Sequence, residues 1–221
     1  LISENINAYN QQKAFVANAS HELQTPIALL KSKLDMLLQD EKFGETQSEL
    51  VNAIQVPLAR LTRVNKNLLL LARIDNSHFS DITDINFAVK VEKSEELLQD
   101  YISEKKLTLL KNEWGLCVFQ CSQFLAETLI NNLLSNAIRH TSDNGEVMVE
   151  WDTYGFSFKN SGKEALNQEL LFKRFSISTT ETTSSGLGLA IVKEICKQNG
   201  WEVSYEFSDF FHVFSVRLGK F

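Results

Sequence analysis

From Val16 onward the positions Val16, Ser20, Leu23, Ile27, Leu30, Leu34 and Leu37 follow one another at alternating steps of four and three. All but Ser20 are apolar, and the spacing predicts a long helix whose narrow seam packs against other helices. A polar stretch at 39–49 interrupts the pattern, and a second seam follows in Leu50, Ile54, Pro57, Leu61, Val64, Leu68 and Leu71. The two segments read as an antiparallel helical hairpin. Stripes this narrow bury little surface alone, so a second copy is expected to complete a dimeric four-helix bundle. Pro57 has no amide hydrogen to give the helix, and a kink is expected there.

Beyond a short polar linker at 75–81 the periodicity becomes mixed. Residues 85–106 read as a helix, 107–112 and 116–121 as strands, and 122–141 as a strongly periodic helix with Ser122 as its N-cap. Residues 145–162 read as two strands turning at Tyr154 and Gly155, 186–200 as a helix closed by a glycine, and 201–218 as a last hairpin. Strands and helices in this order predict an α/β sandwich, one mixed sheet with helices on one face. The expected fold class is thus α+β, with a helical domain at 1–78 and a sandwich domain at 82–221.

Composition narrows the function classes. With 43% hydrophobic and 23% charged residues the chain has material for globular units rather than disorder. A net charge of −6 argues against nucleic acid or an anionic membrane surface as a broad partner, since both need a basic field. Cys117, Cys121 and Cys196 lack metal-site spacing and suit small core residues in a reducing compartment. No apolar run reaches the roughly 18 to 20 residues of a membrane helix. The start at Leu1 rather than Met suggests that an N-terminal portion has been left off.

Three groups of residues carry candidate chemistry. His21 is followed directly by Glu22 and then by Pro26, which leaves the Glu22 carbonyl without its helix partner and bends the turn around the imidazole. A lone histidine on a helix is ordinarily a surface residue, but a nucleophilic imidazole needs one ring nitrogen exposed and the other held by a base. Asn132, Asn136 and Arg139 share a face of the helix at 122–141. Amide oxygens can ligate Mg²⁺ and a guanidinium can clamp phosphate, although asparagines on a helix are commonly just solvated. Gly186 and Gly188 stand immediately ahead of a helix, where backbone amides and the helix N-terminus can meet a phosphate or simply form an entry loop.

Taken together, SHELQTP (20–26), NNLLSNAIRHT (131–141), NSG (160–162) and SGLGLAIVKEI (185–195) resemble the H, N and two G boxes of bacterial two-component sensor histidine kinases. The resemblance is to members with a HisKA-type phosphoacceptor hairpin and a GHKL-type ATPase domain, in the same order along the chain. It implies autophosphorylation of His21 from Mg²⁺-ATP, Glu22 as its base, and transfer to an aspartate of a response regulator. It also implies that Thr25 helps position water for a phosphatase reaction. The implied ATP-binding set is Asn132, Asn136, Arg139, His140, Asn160, Gly162, Gly186, Leu187 and Gly188, with Asn136 as the Mg²⁺ ligand. The resemblance further implies a lid at 176–185, Phe172 and Phe175 packing its base, and a cytoplasmic location below a plasma-membrane sensor.

The first glycine box departs from the family's DxGxG. Asn160 stands in the place of the aspartate that accepts from the adenine amine, and the second glycine is missing. A neutral acceptor is weaker than a charged one, so weaker nucleotide binding is expected. The alternative reading is a silent or phosphatase-biased dimeric module that docks a regulator without taking ATP.

Overall fold

The computed structural model describes residues 2–38, 44–76, 79–175 and 186–219. Helices α1 (Ile2–Leu38) and α2 (Glu45–Asn76) make one compact unit, and the elements from β1 to β7 make the other. Both long helices continue through their prolines, Pro26 in α1 and Pro57 in α2.

In the hairpin, Ile27 and Leu34 of α1 pack with Val51 and Leu58 of α2 as one buried cluster. Ser20 and Asn65 extend this buried row by one heptad on each helix. The α2 seam is therefore shifted from the one expected. Leu50, Ile54 and Leu61 are exposed, as are Leu23, Leu30 and Leu37 of α1. Each helix carries two apolar rows, and one partner helix can cover only one of them. The α1 positions keep the expected period but divide between the two rows, Ile27 and Leu34 buried and Leu23, Leu30 and Leu37 exposed. Val16 and the interhelical stretch 39–43 lie outside the described side chains.

The second unit runs β1 (Ile82–Asn86), α3 (Phe87–Glu104), β2 (Thr108–Glu113), β3 (Val118–Ser122), α4 (Gln123–His140), β4 (Glu146–Asp152), β5 (Gly155–Ser161), α5 (Gln168–Leu171), α6 (Gly188–Gln198), β6 (Glu202–Ser208) and β7 (Phe211–Arg217). The main sheet has the order β2-β4-β5-β7-β6. It is mixed, with β2 and β4 parallel and the remaining pairs antiparallel. One expectation is corrected here. The segment at 116–121 does not join the main sheet; β3 pairs antiparallel with β1, a strand whose last two residues were expected to begin the helix at 85–106. The polar run around Asp81 and Asp84 hides β1, and Asn86 then ends it by accepting the Val89 amide hydrogen as the N-cap of α3.

Alternation along β4 and β5 is regular: Val147, Val149 and Trp151 face the same side as Phe156, Phe158 and Asn160, and all are buried. Phe87 at the start of α3 stacks on Phe156 at 4.2 Å and closes this layer. The buried residues of α4 fall in adjacent pairs, Leu125 and Ala126, Leu129 and Ile130, Leu133 and Leu134, Ala137 and Ile138. That pattern is one helix face, and it turns the intervening polar residues to the other side. Helix α6 ends as its sequence suggests: Gly200 adopts φ of +69° and the Trp201 amide donates to the Cys196 carbonyl at 2.8 Å. Asp209 and Phe210 both adopt positive φ, the two-residue turn that joins β6 to β7 with the twist of the strands.

The three cysteines are buried and free. Burial pushes the Cys117 and Cys196 thiols up to about 12 and that of Cys121 to about 11, so they are inert core residues.

Candidate functional site

The helical unit carries the first group. The backbone of His21 lies within α1, and its side chain is outside the described residues. Glu22 and Thr25 are exposed on the same helix, while Ile27, two residues after Thr25, turns into the hairpin core. The turn is anchored from behind. Asn65 of α2 donates its Nδ2 hydrogen to the carbonyl of Ser20 at 2.7 Å. Ser20 stood in the expected α1 seam as its one polar member, whereas Asn65 was not singled out in the sequence; its only signal is a polar residue in an apolar heptad row.

The second unit carries the other candidates apart from Gly186 and Leu187, which group with the helical unit. Asn132, Asn136, Arg139 and His140 are all half-buried and lie on the face of α4 that the core leaves free. Asn132 bonds back to the Thr128 carbonyl through Nδ2 at 2.8 Å. Its Oδ1 thereby points toward the start of α6, where a Cβ on Gly188 would lie 2.9 Å from that oxygen. A glycine at 188 thus lets the N-terminus of α6, with its partial positive charge, approach the asparagine ridge. Gly186 adopts φ of +65°, a conformation that suits glycine, and Leu187 is fully buried. Asn136 forms no side-chain hydrogen bond among the described residues, so its amide oxygen is available to a ligand.

The C-terminal end of α4 is held by Lys105, just past the end of α3. Its ammonium donates to the carbonyls of Ile138 at 3.3 Å, Arg139 at 2.7 Å and Thr141 at 2.8 Å. A cation at a helix C-terminus satisfies carbonyls that have no helical partner. Sequence reasoning missed Lys105, since nothing local marks a residue whose partners are more than 30 positions away. The expected N-cap Ser122 holds the cap position of α4, but its hydroxyl bonds Asp81 Oδ2 at 3.2 Å instead of the helix.

Asn160, Gly162 and His212 form the third group. Asn160 is 1% exposed and sits opposite His212 across the β5–β7 pair. The ring of His212 rests on Gly162 so closely that a Cβ there would lie 2.1 Å from Nε2. This is a reason for glycine at 162 that the sequence could not show: the position is vacated for an imidazole from another strand. Burial holds the His212 pKa below the ordinary imidazole value. Of the two phenylalanines expected under the lid, Phe172 caps α5 and is half-buried, whereas Phe175 is exposed with φ of +61°. The expected lid at 176–185 lies outside the described residues.

A groove of about 490 Å³ opens on the other face of the main sheet, along the serine row Ser157, Ser204 and Ser215. None of the candidate residues lines it.

Residues 11–77 match the family described as His Kinase A (phospho-acceptor) domain. Residues 122–218 match the histidine kinase-, DNA gyrase B- and HSP90-like ATPase family. Between them these segments take up most of the chain, and the chain belongs to the sensor histidine kinases. It is 27% identical to the sensor histidine kinase HprS of Escherichia coli (strain K12), over 96% of this chain and 48% of that protein. The chain spans about half the length of the curated relatives it matches. Its fold is that of solved histidine kinases. It matches full-length ShkA in complex with AMPPNP at a TM-score of 0.78 and 20% identity, over 93% of this chain and 45% of that one. It also matches ThkA in complex with the response regulator protein TrrA at 0.68 and 21% identity, over 100% of this chain and 67% of that one.

Proposed function

We propose that the chain is a protein-histidine kinase in which His21 takes the γ-phosphoryl group of ATP and passes it to an aspartate of a response regulator. The observation that carries this reading is the pairing, in one chain, of a phosphoacceptor-type helix with an ATPase fold whose asparagine ridge abuts a glycine-opened helix.

A ring nitrogen of His21 attacks the γ-phosphorus, an N–P bond forms, the bond to the β–γ bridging oxygen breaks, and ADP leaves. Glu22 is the adjacent carboxylate and takes the ring proton. The protein's contribution is mainly positioning and charge complementarity, as phosphoryl transfer requires. The N-terminus of α6 with Gly186 and Gly188 faces the phosphates, Arg139 and His140 lie along the same ridge, and Asn160 accepts from the adenine amine. Among the described residues no group of His, Cys, Asp and Glu forms a metal cage. Mg²⁺ would therefore arrive with the triphosphate, held by the free amide oxygen of Asn136, and would neutralise phosphate charge. Thr25, exposed one turn beyond His21, serves the reverse reaction by orienting water toward the phosphorylated aspartate.

The exposed rows of Leu23, Leu30 and Leu37 and of Leu50, Ile54 and Leu61 are where a second copy completes the bundle. The complex recorded for ThkA supports a response regulator as partner. Three free, buried thiols suit the cytoplasm, and no helix of the described residues is long and apolar enough to cross a membrane.

Incubation with γ-labelled ATP and Mg²⁺ tests the reading. The label should bind the chain, survive alkali, be lost in acid, and be absent from His21→Gln. A label that survives acid would sink the assignment to His21.

A further inference from the structure

The groove on the outer face of the main sheet is built from residues that phosphoryl transfer leaves unused. Along its floor Ser157 of β5, Ser215 of β7 and Ser204 of β6 stand side by side in the strand register. Its two ends differ in chemistry.

The end at β4 is aromatic. Trp114 and Tyr154 both line the groove, and they are 75% and 72% exposed. A single exposed apolar residue is ordinary, but a tryptophan and a tyrosine on one rim are the residue types that anchor protein partners. Both stand on fixed backbone. The Trp114 amide donates to the Trp151 carbonyl at 2.9 Å. The Tyr154 amide donates to Asp152 Oδ1 at 2.7 Å, and the Tyr154 carbonyl accepts the Leu218 amide hydrogen at 2.9 Å. Rings displayed this way lose little conformational freedom when a partner covers them.

The end at β6 is acidic. Glu150 and Asp152 line the groove but are already engaged, Glu150 by Lys159 and Asn112, Asp152 by the turn at Tyr154. Glu202 and Glu206 are exposed on β6, and neither has an ion pair or a side-chain hydrogen bond among the described residues. Arg217 stands opposite Glu202 across the β6–β7 pair, yet no ion pair joins the two among the described residues. Four carboxylates thus line the groove against one guanidinium. A face of this sign complements a cationic partner.

We propose that the groove docks an extended segment of a protein partner that carries an arginine at each end: one guanidinium lies on the Trp114 and Tyr154 rings, and the other meets Glu202 and Glu206. Arginine fits both ends, because its planar head stacks on aromatic faces and bonds carboxylates as a fork. From β4 to β6 is three strand spacings, about 14 Å. That is the reach of about five residues of extended chain. The small serine hydroxyls between the ends leave room for its backbone.

NMR titration of the ¹⁵N-labelled full chain with the peptide Arg-Gly-Ser-Gly-Arg tests the assignment, alongside the same peptide with neutral citrulline at both ends. The indole Nε1–H of Trp114 and the amides of Glu202 and Glu206 should shift saturably with the arginine peptide. The citrulline peptide should bind about tenfold more weakly. Trp114→Ala should weaken arginine-peptide binding about threefold, and Glu202→Gln with Glu206→Gln about fivefold. Glu92→Gln with Glu96→Gln removes as much charge from the exposed face of α3 and should leave affinity unchanged. Equal weakening by the two glutamine pairs would reduce the effect to general attraction by an acidic chain and overturn the site. Shifts that do not saturate, or equal binding of the citrulline peptide, would overturn it too. Tighter binding of Glu-Gly-Ser-Gly-Glu would place Arg217, not the carboxylates, at the centre of recognition and refute a cationic partner.

Discussion

Asn65 donates to the carbonyl of Ser20 across the hairpin at 2.7 Å, while its own Oδ1, buried with the rest of a side chain that is 3% exposed, has no partner among the described residues. The bond fastens α2 to the α1 turn that precedes His21, and it does so at a cost. An unmade bond at a buried polar atom costs about 1–3 kcal/mol. Buried amides in helical bundles serve register more than stability.

Replacing Asn65 with valine should therefore stabilise the helical unit. The Ser20 carbonyl keeps its own helical acceptor role, so nothing is orphaned by the change. Thermal unfolding should show a midpoint higher by a few degrees, at about 2–4 °C per kcal/mol for a chain of this size. A lower midpoint would mean that Oδ1 is satisfied in solution.

Lys105→Met should act in the opposite direction. It strips the C-terminal end of α4 of the donor that serves Ile138, Arg139 and Thr141. A loss of about 1–3 kcal/mol is expected in denaturant unfolding. Nucleotide affinity should fall as well, since Arg139 and His140 stand on the turn that Lys105 holds.

Gly162→Ala should expel the His212 ring. The new Cβ would need the place Nε2 holds, at 2.1 Å, and the Tyr205 bond keeps the imidazole from yielding freely. Overpacking of this kind costs about 1–3 kcal/mol. In a His212→Ala background the same substitution should cost clearly less, and a double-mutant cycle measures the difference. Equal costs in both backgrounds would show that the ring moves without resistance.

Stability should also depend on pH through His212. Its folded-state pKa lies below the ordinary value of about 6.5 because burial disfavours the imidazolium. Between the folded and unfolded values the unfolded chain holds the extra proton, so stability rises with pH there. The contribution is fully present above about pH 7 and declines as pH falls through 6.5 toward the folded value. Glu127, bonded by Lys90, and Glu150, whose burial is outweighed by Lys159 and Asn112, hold their carboxyls below the usual range. Their share is lost only at more acid pH. Unfolding midpoints measured from pH 7.5 to 5.5 should fall in wild type and flatten in His212→Gln.

Much of the architecture was legible because it depends on local period and local turn chemistry. The helical period of the hairpin and of α4 and the glycine stop of α6 at Gly200 are set within a turn or two of helix. The hairpin of β4 and β5 was legible for the same reason: Asp152 Oδ1 takes the amides of Tyr154 and Gly155 at 2.7 and 3.0 Å, a turn encoded within four residues. β1 was not, because its polar residues suit an edge strand as well as a linker and only pairing with β3 makes it a strand.

What the amino-acid order settles here is which faces are apolar and where elements stop, since those follow from spacing along one chain. It also places His21 beside Glu22 and puts two glycines ahead of a helix, chemistry carried by neighbours. It could not say which of two apolar rows on α2 meets α1, because both rows satisfy the same heptad and packing alone breaks the tie. Nor could it bring Asn132 to Gly188, Lys105 to the end of α4, or His212 over Gly162. Those contacts join residues tens of positions apart, and their distances exist only once the sheet register and the helix packing have been set.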